Sequence, residues 1–295
     1  IKRDKLLYLL LLPGILYFII FKYAPMYGLA IAFQKYDVFK GITGSDWVGL
    51  KHFKDFINGP FFWRLLRNTL LINIYSLVFF FPAPIILAMA LNELEIKSTY
   101  RRVAQSISYA PHFISTVVVA GILVRFLSPS TGLINKIRNM IGLESINFLL
   151  QAGYFRTIFT SMNLWKEVGF SSIIYLAALT GINRELYEAI DIDGGNKWRK
   201  LVHITLPGIA PTIIIMAILR LGNMLDTGFE SIILLYNPAI YETADVIDTF
   251  VYRSGIEEYN YSFSTAVGMF KSVIGLILVV SANAISRKVT ETSLW

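Results

Sequence analysis

A chain of 295 residues that is 55% hydrophobic and 16% charged, with a mean hydropathy of +0.57, is too apolar for a soluble domain of its size and reads as an all-α, polytopic membrane helix bundle. Its 27 Lys and Arg against 20 Asp and Glu leave a net charge of +7. The basic residues are scattered and no basic patch is interleaved with stacking aromatics, which excludes nucleic acid as a partner. The absence of Cys excludes disulfides, thiolate nucleophiles and sulfur metal sites.

Six segments are long enough to cross a hydrocarbon core of about 30 Å. They lie near Leu6 to Phe33, Leu65 to Asn92, Ser106 to Leu127, Phe155 to Gly181, Gly208 to Tyr236 and Phe263 to Ser286. The first has no small-residue cleavage site and is too long for a signal-peptide core. Pro13 and Pro25 interrupt it, Pro82 and Pro84 interrupt the second, and the third starts near Pro111. Such prolines need neighbouring helices to partner the freed carbonyls, which predicts a packed bundle. Lys2, Arg3 and Lys5, then Lys97, Arg101 and Arg102, then Arg184, Lys197, Arg199 and Lys200, then Arg287 and Lys288 fall on one side. The positive-inside rule makes that side, and both termini, cytoplasmic. The loop Asn237 to Ser262 on the other side is acidic, with Glu242, Asp245, Asp248, Glu257 and Glu258 against Arg253. The other outer loop, Gln34 to Phe62, is too polar to span and carries Gly and Asp at turn positions. With no internal repeat or low-complexity tract, the chain reads as one domain, 1–295.

Between the fourth and fifth segments lies a polar, basic interlude, EAIDIDGGNKWRKLVHITLP, from Glu188 to Pro207. Ile182, Leu186 and Ile190 recur at four-residue spacing along one helical face; Asn183 can cap the first turn and Glu185 sits at the positive end of the dipole. Gly194 and Gly195 stop that helix. A second short helix is predicted to start at Asn196, to bury Trp198, Leu201 and Val202, and to end where Pro207 opens the next apolar segment. The expected product is a bent pair of short helices outside the bilayer.

Glu188, Ala189, then Gly194, nine residues, Ile204, one residue, Leu206 and Pro207 resemble the EAA loop of membrane subunits of binding-protein-dependent ABC importers. The stretch departs from that pattern at Ile190 and Gly195, where the family usually has Ala. The resemblance implies a coupling element over 182–207, carried by Glu188, Ala189, Asp193, Gly194, Ile204, Leu206 and Pro207, that docks in a cleft of an ATPase subunit. Beyond the loop, KYAPMYGLAIAF, the outer loop after it and WRLLRNTLLINIYSLVFFFPAPIILAMALNEL are similar to permeases of carbohydrate ABC importers that handle complex oligosaccharides, the alginate importer among them. That resemblance implies a core five-helix unit over 63–286, with 1–62 supplying an added first helix and outer loop. The implied partners are a second, different permease chain, an ATPase dimer, an extracytoplasmic solute-binding protein, an oligosaccharide and the lipid of a bacterial cytoplasmic (inner) membrane. No cofactor is expected in this chain. It has no G-x-x-x-x-G-K-[ST] loop, so ATP and Mg belong to the partner ATPase.

A permease also needs a polar path, and ionisable groups within the bilayer are its candidates because they cost several kcal/mol unless paired or wetted. Counted along ideal helices, Arg220 lies roughly 18 Å and Asp226 roughly 27 Å from Gly208; Lys166 and Glu167 lie roughly 17 Å, and Lys271 roughly 12 Å, from the outer starts of their helices. Arg220, Lys166, Glu167 and Lys271 are equally well read as members of ion pairs that fix packing. Asn223 and Asp226 sit in RLGNMLDTGFE, where small residues permit close helix approach or backbone that lines a cavity. Trp165 and Tyr175 could stack on sugar rings or simply pack. Substrate-path candidates are therefore Trp165, Lys166, Arg220, Asn223, Asp226 and Lys271. Their cationic bias points to an acidic sugar such as a uronate oligomer. His52, His112 and His203 show no metal-ligand spacing, and no catalytic acid and base converge, so no enzyme chemistry is expected. The alternative is a stand-alone transporter or channel driven by ions through Asp226 and Glu230, which predicts inverted repeats that this sequence lacks.

Overall fold

The computed structural model describes residues 5–94 and 99–290. Lys2, Arg3 and Lys97, on which part of the orientation rests, lie outside them, as does the side chain of Lys5. Helices follow one another along the chain: α1 (Lys5–Phe18), α2 (Lys51–Ile57), α3 (Phe62–Asn92), α4 (Thr99–Tyr109), α5 (Thr116–Leu127), α6 (Leu133–Met140), α7 (Ala152–Thr180), α8 (Arg184–Ile192), α9 (Lys197–Gly222), α10 (Phe229–Ile233), α11 (Ile247–Tyr252) and α12 (Tyr261–Thr290). Leu9–Phe33, α3, α9 and Tyr261–Lys288 are long and apolar enough to cross a membrane. The 29-residue α7 is long enough too, but it carries Arg156, Lys166 and Glu167 and does not stand with them on composition.

Two of the predicted segments and the second short helix are corrected. The third is broken: Thr99–Phe113 and Thr116–Leu127 meet at 98°. Pro111 withdraws a backbone donor in the turn Ala110–Phe113, Ile114 is extended, and the Ser115 hydroxyl accepts from the Val118 N–H to begin α5 afresh. The fifth ends at Gly222, where the Asn223 side chain donates to the Leu219 carbonyl at 3.2 Å, and Gly228 then turns the chain at φ +72°. Asp226 is therefore not on the helix, and its reckoned depth along it does not hold. Pro207 does not end the helix that starts after Asn196. Residues Leu201–Thr205 widen into a π turn and α9 continues to Gly222, so the second member of the expected short pair is the first part of a long helix.

The same device recurs. π turns at Ile19–Tyr23, Ser76–Phe80 and Leu201–Thr205 each end two residues before a proline, Pro25, Pro82 and Pro207. A proline ring collides with the carbonyl four residues back, and one wider turn moves that carbonyl aside. The prolines are accommodated within their own helices, beyond any help from neighbours.

The chain divides into two compact units, residues 1–63 with 247–273 and residues 64–246 with 274–295. In the first, β1 (Gln34–Lys35) pairs antiparallel with β2 (Asp46–Trp47), Gln34 opposite Trp47, within the loop that the sequence left as turns. Phe56, Phe62, Phe250, Phe263 and Phe270 form its aromatic cluster. In the second, α7 runs through two cores. Its Phe155 and Phe159 pack with Ile72, Val119 and Ile232, and its Tyr175 and Leu179 pack with Ala88 and Ile209. Gly169 of α7 lies so close to the Ser108 carbonyl that any Cβ there would overlap backbone. The acidic loop is not wholly solvated. Asp245 is 0% exposed, paired at 3.0 Å with Arg64, and Asn68 donates to the carbonyls of Glu242 (2.9 Å) and Asp245 (3.0 Å) while accepting from Arg156. A buried carboxylate requires such partners.

Candidate functional site

The interlude folds as its local signals dictate. Asn183 caps α8, its side chain accepting from the Glu185 N–H at 3.0 Å. At the other end Gly194 adopts φ +71°, its N–H donates to the Asp191 carbonyl at 3.1 Å, and the Gly195 N–H donates to Ile190 at 2.8 Å, a Schellman stop. Asn196 caps α9, accepting from the Arg199 N–H at 2.9 Å. Between the two helices the Tyr187 and Thr205 hydroxyls meet at 3.0 Å and Lys200 pairs with Asp191 at 2.6 Å. The bend is thus held by backbone caps and one hydroxyl bond; the exposed ion pairs add at most about 1 kcal/mol each.

Glu188 and Ala189 are exposed on α8, Asp193 is its C-cap residue, and Gly194 follows it. Ile204, within the π turn of α9, is buried, and just after that turn Leu206 is half-buried and Pro207 exposed. The expected burial of Trp198 and Val202 is corrected: Trp198 is 69% exposed and Val202 faces outward, because α9 turns Ile204 and Thr205 to the core instead. Leu186 and Ile192 are also exposed. An open cleft of about 500 Å³ lies alongside, lined among others by Glu93, Thr180, Arg184, Tyr187, Glu188 and Lys197. Sequence reasoning passed over Glu93, Thr180 and Tyr187, which no spacing rule ties to the motif.

A second feature is a cavity of about 140 Å³ within the same unit, lined by Asn73, Ser76, Asn163, Glu167, Arg220 and Asp226 among others. Arg220 donates to the Ser76 hydroxyl at 2.7 Å and lies 5.5 Å from the centre of the Phe80 ring. Lys166 pairs with Glu167 at 2.7 Å, and His112 approaches the other Glu167 oxygen at 2.6 Å while stacking on Phe170 at 3.9 Å. His112 thus both bonds and packs. The structure brings Arg220 and Asp226 to one cavity, with Lys166 behind Glu167. It leaves Trp165 half-exposed and Asn223 on the exposed end of α9, neither lining it. Lys271 belongs to the other unit and is bonded there to Asp248. Asn73 and Ser76 were missed, though Thr69, Asn73 and Ser76 recur at i, i+4 and i+7 in an otherwise apolar run, a legible polar stripe.

Long apolar helices, a polar cavity among them and a capped elbow define a polytopic helical membrane protein. Residues 81–291 match the family described as binding-protein-dependent transport system inner membrane component, and the chain belongs to that family. It is 48% identical over 295 residues to the protein LplB of Bacillus subtilis (strain 168), covering 100% of this chain and 92% of that one. It is 45% identical over 293 residues to the polygalacturonan/rhamnogalacturonan transport system permease protein YteP of the same organism, covering 99% and 91%. The fold superposes with a TM-score of 0.91, at 48% identity and over 99% and 98% of the two chains, on a chain of a bacterial alginate ABC transporter crystallised in complex with an alginate pentasaccharide-bound periplasmic protein. The chain therefore has the ABC importer permease fold.

Proposed function

We propose that this chain is one of two different permease subunits of an importer that carries an acidic oligosaccharide, a uronate oligomer, inward across a bacterial cytoplasmic membrane in six spans. Hydrolysis of ATP takes place on a separate ATPase dimer, and both termini of the chain face it. The observation that carries this reading is the capped elbow of α8 and α9, which holds Leu186, Ile192 and Trp198 out from the fold. A rigid surface of exposed apolar side chains with charges around it is a protein-docking surface. The elbow is continuous with α9, whose far end carries Arg220, so a push on it moves one wall of the cavity as a rigid body.

Two relatives carry polyuronates in their names, which supports the acidic class, and the complex with a loaded periplasmic protein supports delivery by a binding protein. Within the chain the cationic set is smaller than its sequence implied. Lys166 and Lys271 are tied to Glu167 and Asp248, whereas Arg220 is held by a hydroxyl and a ring. The test is co-purification. An ATPase subunit co-expressed with this chain is expected to come down with the native protein and to be lost with Gly194→Pro, since φ near −65° cannot replace +71°. Retention of a fully coupled ATPase by that variant would remove the docking role from the elbow.

A further inference from the structure

Glu167 presents a puzzle for a path that passes polyanions, because a carboxylate there repels the cargo. Its surroundings resolve it. One oxygen receives the Lys166 ammonium at 2.7 Å and the other lies 2.6 Å from His112 Nδ1. The imidazole nitrogen and the carboxylate oxygen are thus within hydrogen-bond distance of each other. Both oxygens are engaged, by a cation and by a ring fixed face to face on Phe170. The same side chain lines the cavity that holds Arg220 and Asp226. His112 comes from the turn Ala110–Phe113 at the 98° break between α4 and α5, so the imidazole arrives from a different element than the acid.

We infer that Lys166 and His112 mask the charge of Glu167 and so set the preference of the path for acidic over neutral sugars. Lys166 and His112 are positioning residues that act through Glu167 and do not touch the cargo. This rests on the reading of the substrate as an acidic oligosaccharide. With Lys166 in place, Arg220 and Lys166 balance Glu167 and Asp226. Without it the cavity gains one net negative charge. At roughly 10 Å and an effective dielectric of about 20, one unit charge repels another enough to change occupancy by about ten-fold.

The importer reconstituted whole in proteoliposomes, with its partner permease and ATPase, provides the assay. Uptake of a galacturonate oligomer is measured beside that of a neutral oligosaccharide of equal length. Lys166→Gln is expected to lower acidic uptake about ten-fold while neutral uptake changes less than two-fold, and Lys166→Arg to keep the native preference. Adding Glu167→Gln to Lys166→Gln is expected to restore acidic uptake; the selective loss of acidic over neutral uptake in the single variant is the outcome that a merely structural role for Lys166 would not produce. Equal losses for both sugars, or no restoration in the double variant, overturn the inference and leave the acidic-substrate reading standing. A native importer that moves the neutral oligomer but not the galacturonate overturns both.

Discussion

Ile190 and Gly195 are the two positions at which the elbow departs from the EAA pattern it resembles, and the structure puts them in contact. A Cβ built on Gly195 would fall on Ile190 Cγ2, with the Ile190 carbonyl at 3.1 Å and Arg199 Cδ at 3.4 Å. The backbone at Gly195 needs no positive φ, unlike that at Gly194, so the chief obstacle is the branched side chain, with the Ile190 carbonyl a second and milder one. The two positions are therefore coupled: the space that a methyl at 195 would need is filled here by the Ile190 side chain. Gly195→Ala should cost about 1–2 kcal/mol, the usual range for forcing an extra carbon into a packed place or an Ile off its rotamer. Ile190→Ala with Gly195→Ala should recover most of it. Hydrogen–deuterium exchange on peptides from 184–205 of the reconstituted protein reads this directly, because opening scales with local stability. The single variant should exchange about five- to thirty-fold faster than native. The double variant should lie within about three-fold of native. Equal acceleration in both variants would refute the coupling, since removing the Ile190 branch would then bring no relief.

Gly169→Ala sets a methyl against the Ser108 carbonyl, a backbone atom that cannot swing away. A loss of roughly 1–3 kcal/mol is expected, seen as a fall of several degrees in the unfolding midpoint in nanodiscs; an unchanged midpoint would mean that α7 and α4 lie further apart. Asn135, buried at the start of α6, donates to Ser128 (3.0 Å) and Ile146 (2.9 Å) carbonyls and accepts from the Ile146 N–H (2.8 Å). Asn135→Ala strands those groups at a cost of about 1–3 kcal/mol. Limited proteolysis should then cut between 128 and 147 on the order of ten-fold faster, and equal rates would count against the staple.

The legible parts of this molecule are those written within a few residues of each other. Asn183, Asn196 and Gly194 announce two caps and a stop because each acts on backbone two to four positions away. The resemblance to the EAA loop rested on the same short stretch. What escaped depends on partners far off in sequence. Asp245 counts as one more loop acid until Arg64 and Asn68, more than 170 positions earlier, are brought to it. The break at Ile114 and the uninterrupted course of α9 past Pro207 escaped for another reason: a proline states that a hydrogen bond is lost and leaves open whether the chain folds away or widens by a turn.

That choice at Pro207 carries a consequence for how such a helix can change over time. A π turn holds one residue more than the regular spiral, so the stretch after it is offset by roughly 100° from where an unbroken α-helix would point its side chains. The two ends of α9 are in effect keyed separately, like two gears on one shaft with a fixed phase slip between them. Substitutions that re-aim Trp198 and its neighbours toward a new protein need not disturb the alignment of Ile209 and Ile218 in the interior, and the drive shaft can keep its bearings while its coupling is recut.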